Sequence, residues 1–374
     1  MLSLLTGCYI SLIFFFRDLL VKLTPFNERS ISPATKFSVI IPARNEEKNI
    51  AHCIESIYRQ RYPAALFEVI VIDDHSTDET SVIVASYQQQ YPSLKLIQLK
   101  DEVKGKLLNA YKKKAIETAI GQTSGDWIIT TDADCHVTND WLLAYDNYIQ
   151  LNDPALVAGP VKYINTRSFV SIFQCLDFMS LQGVTAAAVS ADKLSMCNGA
   201  NLAYRKDAFT AVNGFRGIDN VASGDDMLLM HKIKKHYPGR LGYLFCYDGV
   251  VSTYPMPDWK SFFNQRIRWA SKAEKYDDPG IIAVLAMVYL FNVSLVVLGV
   301  MSLWSTFCFV LFILMLAVKT IAELTFMFPI TDFYREKKLL WWFPLMQPFH
   351  IMYMVIAGWL GKFGSYQWKG RKVR

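Results

Sequence analysis

The sequence has no Cys-x-x-Cys pair, and its seven cysteines (Cys8, Cys53, Cys135, Cys175, Cys197, Cys246 and Cys308) are odd in number and dispersed. Neither a disulfide framework nor a cysteine zinc site is indicated, and reduced, structural thiols fit a cytosolic compartment. No basic run is interleaved with stacking aromatics outside the flanks of the long apolar stretches, which argues against nucleic acid as a partner. Charge is scarce too: Asp, Glu, Lys and Arg make up 19% of the 374 residues, against 52% hydrophobic, a high apolar share for a wholly soluble chain. The deficit is local. Leu339 to Leu360 holds no acid, Lys or Arg, and from Ile281 to Leu316 only Asn292 and a few Ser and Thr interrupt the apolar side chains. Such stretches approach or exceed the roughly 20 residues that cross a bilayer core, so a membrane protein is expected.

Met1 to Phe16 is apolar and short, followed by Arg17, Asp18 and Lys22. The basic residues come after the apolar run rather than before it, and no small-residue cleavage site follows, which favours an anchor over a signal peptide. The positive-inside rule then places Phe26 onward in the cytosol, on the inner face of an inner or plasma membrane. The expected organisation is an anchor over 1–24, a cytosolic domain over 36–255, an interfacial amphipathic helix over 256–276, a transmembrane region over 280–362 and a basic tail over 363–374. Lys260, Arg266, Arg268, Lys272 and Lys275, with Lys369, Arg371, Lys372 and Arg374 in the tail, suit anionic headgroups. Three full C-terminal crossings would put that tail outside, against the same rule. Pro344 and Pro348 favour a broken or re-entrant segment, and Lys319 and Glu323 blur the end of the preceding span.

Between the apolar ends, strands alternate with helices. Phe37 to Ile41 is a short β-branched run closed by Pro42, and Ile50, Cys53, Ile54 and Ile57 recur at helical spacing. Phe67 to Ile72 reads as a buried strand, and Ser76-Thr77-Asp78-Glu79 resembles a capping box opening a helix toward Tyr91. Leu94 to Leu99 is a third strand, about Leu107 to Ile120 a helix, and Trp127 to Thr131 a fourth strand. The alternation predicts an α/β fold: a mostly parallel sheet covered on both faces, with ligands beyond the carboxyl ends of its strands.

Acids stand at such ends. Asp73-Asp74 follows the second strand and Asp132-Ala133-Asp134 the fourth, although either pair alone is explained as well by a turn or helix cap. Side chains two apart share one side of an extended chain, so Asp132 and Asp134 together offer hard oxygen ligands to Mg2+ or Mn2+ bridging a diphosphate. Phosphatases with an aspartyl nucleophile also place Asp-x-Asp after a strand, but His136 departs from the Thr or Val of their pattern. Two more clusters follow: Asp225-Asp226, ahead of a helix over Met227 to Lys235, and Gln265-Arg266-Ile267-Arg268-Trp269.

In this order, the segments from about Lys36 to Trp269 resemble the family 2 inverting glycosyltransferases of the GT-A fold. Ser38 to Glu47 is similar to the family's opening strand and loop, which implies nucleotide contacts at Pro42, Ala43, Arg44 and Glu46. Val71 to Asp78 is similar to the segment whose acids, here Asp73 and Asp74, receive uracil. Lys113-Lys114-Ala115-Ile116 has the spacing of a lysine-bearing helix ahead of Gly125-Asp126 and the metal motif, implying Lys113 and Asp132 at the nucleotide. Read alone, that helix is a solvated basic face. Asn198 to Arg205 resembles the Gly-x-Asn segment beside donor sugar and acceptor, here Gly199 and Asn201, and a tight turn explains the glycine equally well. Ser223 to Leu229 looks like the segment that ends in the catalytic base; the usual Glu-Asp is Asp-Asp here. The likeness implies Asp226 as the base that takes the acceptor proton, with Asp225 orienting it. Gln265-x-x-Arg268-Trp269 matches the motif of membrane members, implying Gln265 and Arg268 on the departing diphosphate and Trp269 as an apolar wall. The same helix also reads as an amphipathic surface helix with Trp259, Phe262, Phe263 and Trp269 facing lipid.

Two groups share that last motif: polysaccharide synthases, and ceramide glucosyltransferases, which add one sugar to a lipid. One anchor and at most three C-terminal spans are few for a single-subunit channel. The expectation is therefore metal-dependent, inverting transfer from a nucleotide sugar, UDP-linked by the resemblance, to a membrane lipid or short glycan acceptor. A processive polysaccharide synthase is the alternative enzyme. An inactive binding or assembly subunit is the alternative outside enzymes; it predicts a missing cluster, and none is missing.

Overall fold

The computed structural model describes residues 2–28, 31–103, 109–164, 166–193, 196–221, 224–271, 279–363, 366–368 and 371–373. Expectations at Leu107, Ser223, Lys272, Lys275, Lys369 and Arg374 lie outside the described residues. The chain opens with α1 (Leu2–Val21), β1 (Phe37–Ala43), α2 (Ile50–Tyr58), β2 (Phe67–Asp73), α3 (Thr80–Gln90), β3 (Leu94–Gln98), α4 (Leu99–Val103), α5 (Tyr111–Ile120) and β4 (Trp127–Thr130). It continues through α6 (Trp141–Asn152), β5 (Leu156–Ala158), β6 (Val161–Tyr163), α7 (Phe169–Ser190), β7 (Leu202–Arg205), α8 (Lys206–Ala211), α9 (Met227–His236), β8 (Leu241–Tyr243) and β9 (Val251–Thr253). The last elements are α10 (Trp259–Ala270), α11 (Pro279–Met301), α12 (Thr306–Phe333), α13 (Phe343–Phe363), β10 (Tyr366–Trp368) and β11 (Arg371–Val373).

Two compact units result, one of Thr24–Lys162 and Ser195–Tyr254, the other of Met1–Leu23, Tyr163–Leu194 and Pro255–Arg374. The expected domain at 36–255 differs at its start, which lies at Thr24, and in the stretch carrying α7, which groups with the apolar helices.

The first unit is built on a seven-stranded sheet of order β3-β2-β1-β4-β7-β5-β8. Strands β3, β2, β1 and β4 run parallel, and β1 and β2 are buried along almost their whole length. That burial on both faces is why they read as continuous apolar runs rather than alternating ones. Pro42 lies inside β1 instead of closing it. Ile40 accepts from Thr131 N at 3.2 Å on the β4 side, so Pro42, two residues on, faces the same side, where β4 has already ended. Its missing N–H therefore breaks no ladder bond. Strand β7 runs antiparallel to β4 and β5, so its start reaches the same sheet edge as the ends of β1, β2 and β4.

Helix α3 begins at Thr80, later than a capping box at Ser76 predicts. Ser76 Oγ accepts from Asn45 N at 3.0 Å and Asn45 Oδ1 from Thr77 N at 2.8 Å, so these residues tie the β1 and β2 loops together before the helix starts.

The second unit gathers α1, α7 and α10 to α13. Five segments are long and apolar enough to cross a membrane: Leu2–Val21, Phe169–Ser190, Pro279–Met301, Thr306–Phe333 and Lys337–Lys362. Phe169–Ser190 was not expected. It differs from the rest in being 83% buried, against 17% to 33% for the others, so its apolar surface is taken up by packing. The expected break at Pro344 and Pro348 is confined to a 3-10 stretch, Lys337–Trp342; α13 then runs on through Pro348, while Pro344 occupies its first turn, where no N–H is needed. Lys319 and Glu323 do not end α12, and both are buried. The described backbone of the tail is an antiparallel hairpin of β10 and β11.

Candidate active site

At the carboxyl edge of the sheet, the β1 and β2 loops form one hydrogen-bonded body. Asp74 N donates to Ala43 O at 2.7 Å, beside Pro42, and Arg44 Nη1 donates to Asp74 O and His75 O at 2.7 and 3.1 Å. Glu46 N donates to Thr80 Oγ1 at 2.8 Å, and its carboxylate accepts from Asn49. Asp73 is buried at the strand end and accepts from Ser76 N at 3.2 Å; Asp74 Oδ1 lies 2.9 Å from His75 Nδ1. Asn45 and His75 hold φ of 52° and 57°, a left-handed conformation uncommon for side-chain-bearing residues and frequent near ligand sites. Pro42, Ala43, Arg44, Glu46, Asp73 and Asp74 are thus brought together.

Next to them, the turn after β4 presents Asp132 and Asp134. Lys112 Nζ, from α5, sits 2.8 Å from Asp132 Oδ1 and 3.2 Å from Asp225 Oδ2. Burial works to lower its pKa, but Asp132 and Asp225 outweigh it and hold the ammonium above the usual lysine range. Asp226 caps α9: Oδ1 accepts from Met227 N at 2.8 Å and Oδ2 from Gly199 N at 3.2 Å. The preceding Gly224 has φ +77°, a backbone that glycine adopts freely. A Cβ on Gly199 would stand 3.3 Å from Asp225 Oδ2 and 3.5 Å from Lys112 Nζ, so that glycine lets the acids and the lysine close on the backbone. The thiols of Cys53 and Cys135 lie beside Asp132 and Asp134, and burial pushes both up, with Asp134 and Asp132 adding to the effect.

Two expected site residues lie buried with partners inside the protein. Lys113 is fully buried, and its Nζ donates to Ile218 O and Val221 O at 2.7 and 2.8 Å; it braces the loop that leads to Asp225, and Lys112 is the lysine among the acids. The apolar phase carried that signal, since Lys113 lies three and seven residues before Ile116 and Ile120 on one helix face. Asn201 is also fully buried. Its Nδ2 donates to Pro160 O and Gly249 O, both at 2.8 Å, and its Oδ1 accepts from Trp141 Nε1 at 3.0 Å and Tyr145 OH at 2.9 Å. With all its amide capacity used, Asn201 organises the core behind Gly199.

In the other unit, α10 carries Gln265, Arg266, Arg268 and Trp269. Arg266 is buried against Asp177 of α7, and Phe262 is fully buried, so the expected lipid-facing role of Phe262 is corrected to a core one. Gln265 Oε1 accepts from Arg266 Nη1 at 2.9 Å and from Tyr163 OH at 3.3 Å. Arg268 is half-buried, and its guanidinium has no hydrogen-bond or ion-pair partner among the described residues.

A mostly parallel sheet with two acid pairs and a lysine at its carboxyl edge, and with Gly199 and Asn201 just ahead of β7, is the arrangement of a glycosyltransferase of the GT-A type. The chain belongs to glycosyl transferase family group 2, whose model matches residues 127–360; the model of glycosyl transferase family 2 matches residues 38–212. It is 27% identical over 231 residues to glycosyltransferase AglE of Haloferax volcanii, covering 62% of this chain and 70% of that one. A beta-monoglucosyldiacylglycerol synthase of Synechocystis is 32% identical over 115 residues, 31% of this chain and 23% of its own. The mannosyltransferase PcManGT of Pyrobaculum calidifontis, solved with GDP-Man and Mn2+, shares the fold at a TM-score of 0.53 and 18% identity, covering 96% of this chain and 99% of that one.

Proposed function

We propose that the protein transfers a sugar from a UDP-sugar, with inversion, to a lipid or short glycan acceptor held in the membrane. The observation that carries this reading is the cluster of Lys112, Asp132, Asp225, Asp226 and Gly199 at the sheet edge, in one chain with five membrane-length apolar helices. The partial match to a synthase named for a glycolipid product supports a lipid acceptor.

In this reading the tied loops at Pro42, Ala43, Arg44, Glu46, Asp73 and Asp74 hold the uracil nucleotide. Among the described residues no three His, Cys, Asp or Glu side chains form a metal cage. Two carboxylates, Asp132 and Asp134, fit Mg2+ or Mn2+ nonetheless, because such ions are commonly held by one or two carboxylates plus substrate phosphates. The bound ion would neutralise charge on the diphosphate. Lys112 adds a second positive charge there. Asp226, fixed by two backbone N–H groups, takes the proton of the acceptor hydroxyl as its oxygen attacks the anomeric carbon from the face opposite the diphosphate. Arg268 and Gln265 meet the departing diphosphate and Trp269 walls the acceptor. Arg17 near the end of α1 and Lys22 just after it support a catalytic unit on the cytosolic face.

Membranes containing the full chain, incubated with labelled nucleotide sugars and Mg2+ or Mn2+, test this. Solvent-extractable, metal-dependent label is the expected product. Label retained as polymer instead identifies a processive synthase, and a purified protein that binds no nucleotide sugar is a binding or assembly subunit.

A further inference from the structure

We propose that Asp177 is a positioning residue for sugar transfer: through Arg266 it fixes the side chains of Gln265 and Trp269 and the face on which α10 presents Arg268. The inference rests on the reading of Gln265, Arg268 and Trp269 given above.

The Asp177 and Arg266 side chains are 2% and 4% exposed. Arg266 Nε and Nη2 both donate to Asp177 Oδ2, at 3.0 and 2.6 Å. The other oxygen, Oδ1, accepts from Tyr353 OH of α13 and lies 3.8 Å from His350 Nε2. Three helices, α7, α10 and α13, therefore meet at one carboxylate. Arg266 spends its remaining contacts on the motif itself. Nη1 donates to Gln265 Oε1 at 2.9 Å, and the guanidinium lies 4.2 Å from the Trp269 ring centre and 4.7 Å from that of Phe262. Residues two apart on a helix are separated by about 200°, so anchoring Arg266 inward turns Arg268 outward. Gln265, Arg268 and Trp269, spaced i, i+3 and i+4, share the neighbouring face.

Packing alone does not call for this arrangement. Phe262, already buried, would hold α10 down, and a buried ion pair is often no more stabilising than an apolar pair of the same size. What the pair adds is direction, since a forked guanidinium has one orientation on a carboxylate.

The test uses the full chain in nanodiscs, with kcat, donor KM and UDP affinity measured for Asp177→Asn, Asp177→Glu, Arg266→Gln, Tyr353→Phe, Arg268→Gln and the double variant Asp177→Asn/Arg266→Gln. Positioning predicts that Asp177→Asn lowers kcat at least tenfold while donor KM and UDP affinity stay within twofold. The double variant should be no slower than the slower single one, and Asp177→Glu should recover part of the loss. Unchanged kcat in folded Asp177→Asn overturns the proposal, as do losses that multiply in the double variant. Should Asp177→Asn fail to fold, Tyr353→Phe and Asp177→Glu decide: a drop in kcat at constant UDP affinity supports positioning, and unchanged kcat in both overturns it. If Arg268→Gln is as active as the parent, the motif reading and the proposal fall together; if Arg268→Gln is slow and Asp177→Asn is not, only the proposal falls.

Discussion

The side chain of Lys112 ends between Asp132 and Asp225, and that of Lys113 on the carbonyls of Ile218 and Val221. Substitution should separate the two. Lys112→Ala is expected to slow transfer by roughly tenfold or more through lost charge at the diphosphate, with little change in melting temperature. Lys113→Ala strips two part-buried carbonyls of a charged donor and is expected to cost about 2 to 3 kcal/mol of stability, read by chemical denaturation. Asp226→Asn keeps shape and removes the carboxylate proposed as base, so turnover is expected to fall by about 10² to 10⁴ with UDP binding retained; retained turnover would remove Asp226 from that role. Asn201→Ala removes the side-chain partner of Trp141 Nε1, Tyr145 OH and the Pro160 and Gly249 carbonyls, and is expected to lower stability by ~3 kcal/mol.

At the scale of elements, Glu68 of β2 joins three segments. Its carboxylate accepts from Ser38 Oγ of β1 at 2.7 Å, from Lys95 Nζ of β3 at 2.7 Å and from Ser124 Oγ before β4 at 2.9 Å. Burial works to raise its pKa, but Lys95, Ser124 and Ser38 overcome that and bring it down to about 2 from 4.5. A depressed carboxyl contributes stability that is whole above the unfolded value and is lost as pH falls through the folded one. Unfolding free energy should therefore decline between about pH 4.5 and 2, and Glu68→Gln should flatten that decline while lowering stability at neutral pH. Strands β1, β2 and β4 were legible because buried parallel strands are apolar runs with acids at their ends. The start of α3 was not, because Ser76 and Thr77 bond to another loop, a partner no local pattern reveals. Helix α7 escaped for a related reason: Gln174, Asp177 and Gln182 interrupt its apolar run, and the partners of Gln174 and Asp177, namely Met256, Arg266 and Tyr353, lie 82 or more positions away. The acid pairs could be read in advance; that Lys112 rather than Lys113 faces them, and that Asn201 turns into the core, is a matter of helix phase and core packing.

Across the whole molecule, the question is which side the chain ends on. A Cβ on Gly361, near the end of α13, would stand 2.5 Å from Ala270 Cβ, so the chain leaves α13 beside the end of α10. The basic tail and α10 then share a side however many times the intervening helices cross, which meets the positive-inside rule. Fluorescent-protein fusions placed after Arg374 and after Ser271 should both fluoresce in the cytosol, and periplasmic reporters at either point should stay silent.

Inside the second unit, Lys319 and Glu323 of α12 form an i,i+4 pair at 2.6 Å, Gln347 of α13 bonds to both, and Tyr9 of α1 donates to Glu323. Those partners are made in sequence by the ribosome. When α12 leaves the ribosome, Tyr9 is already made and Gln347 is not, so the ion pair can meet the hydroxyl of α1 before it meets the amide of α13. A Tyr9→Phe chain should therefore show its defect during assembly, as slower maturation in a pulse-chase, more than in the finished enzyme.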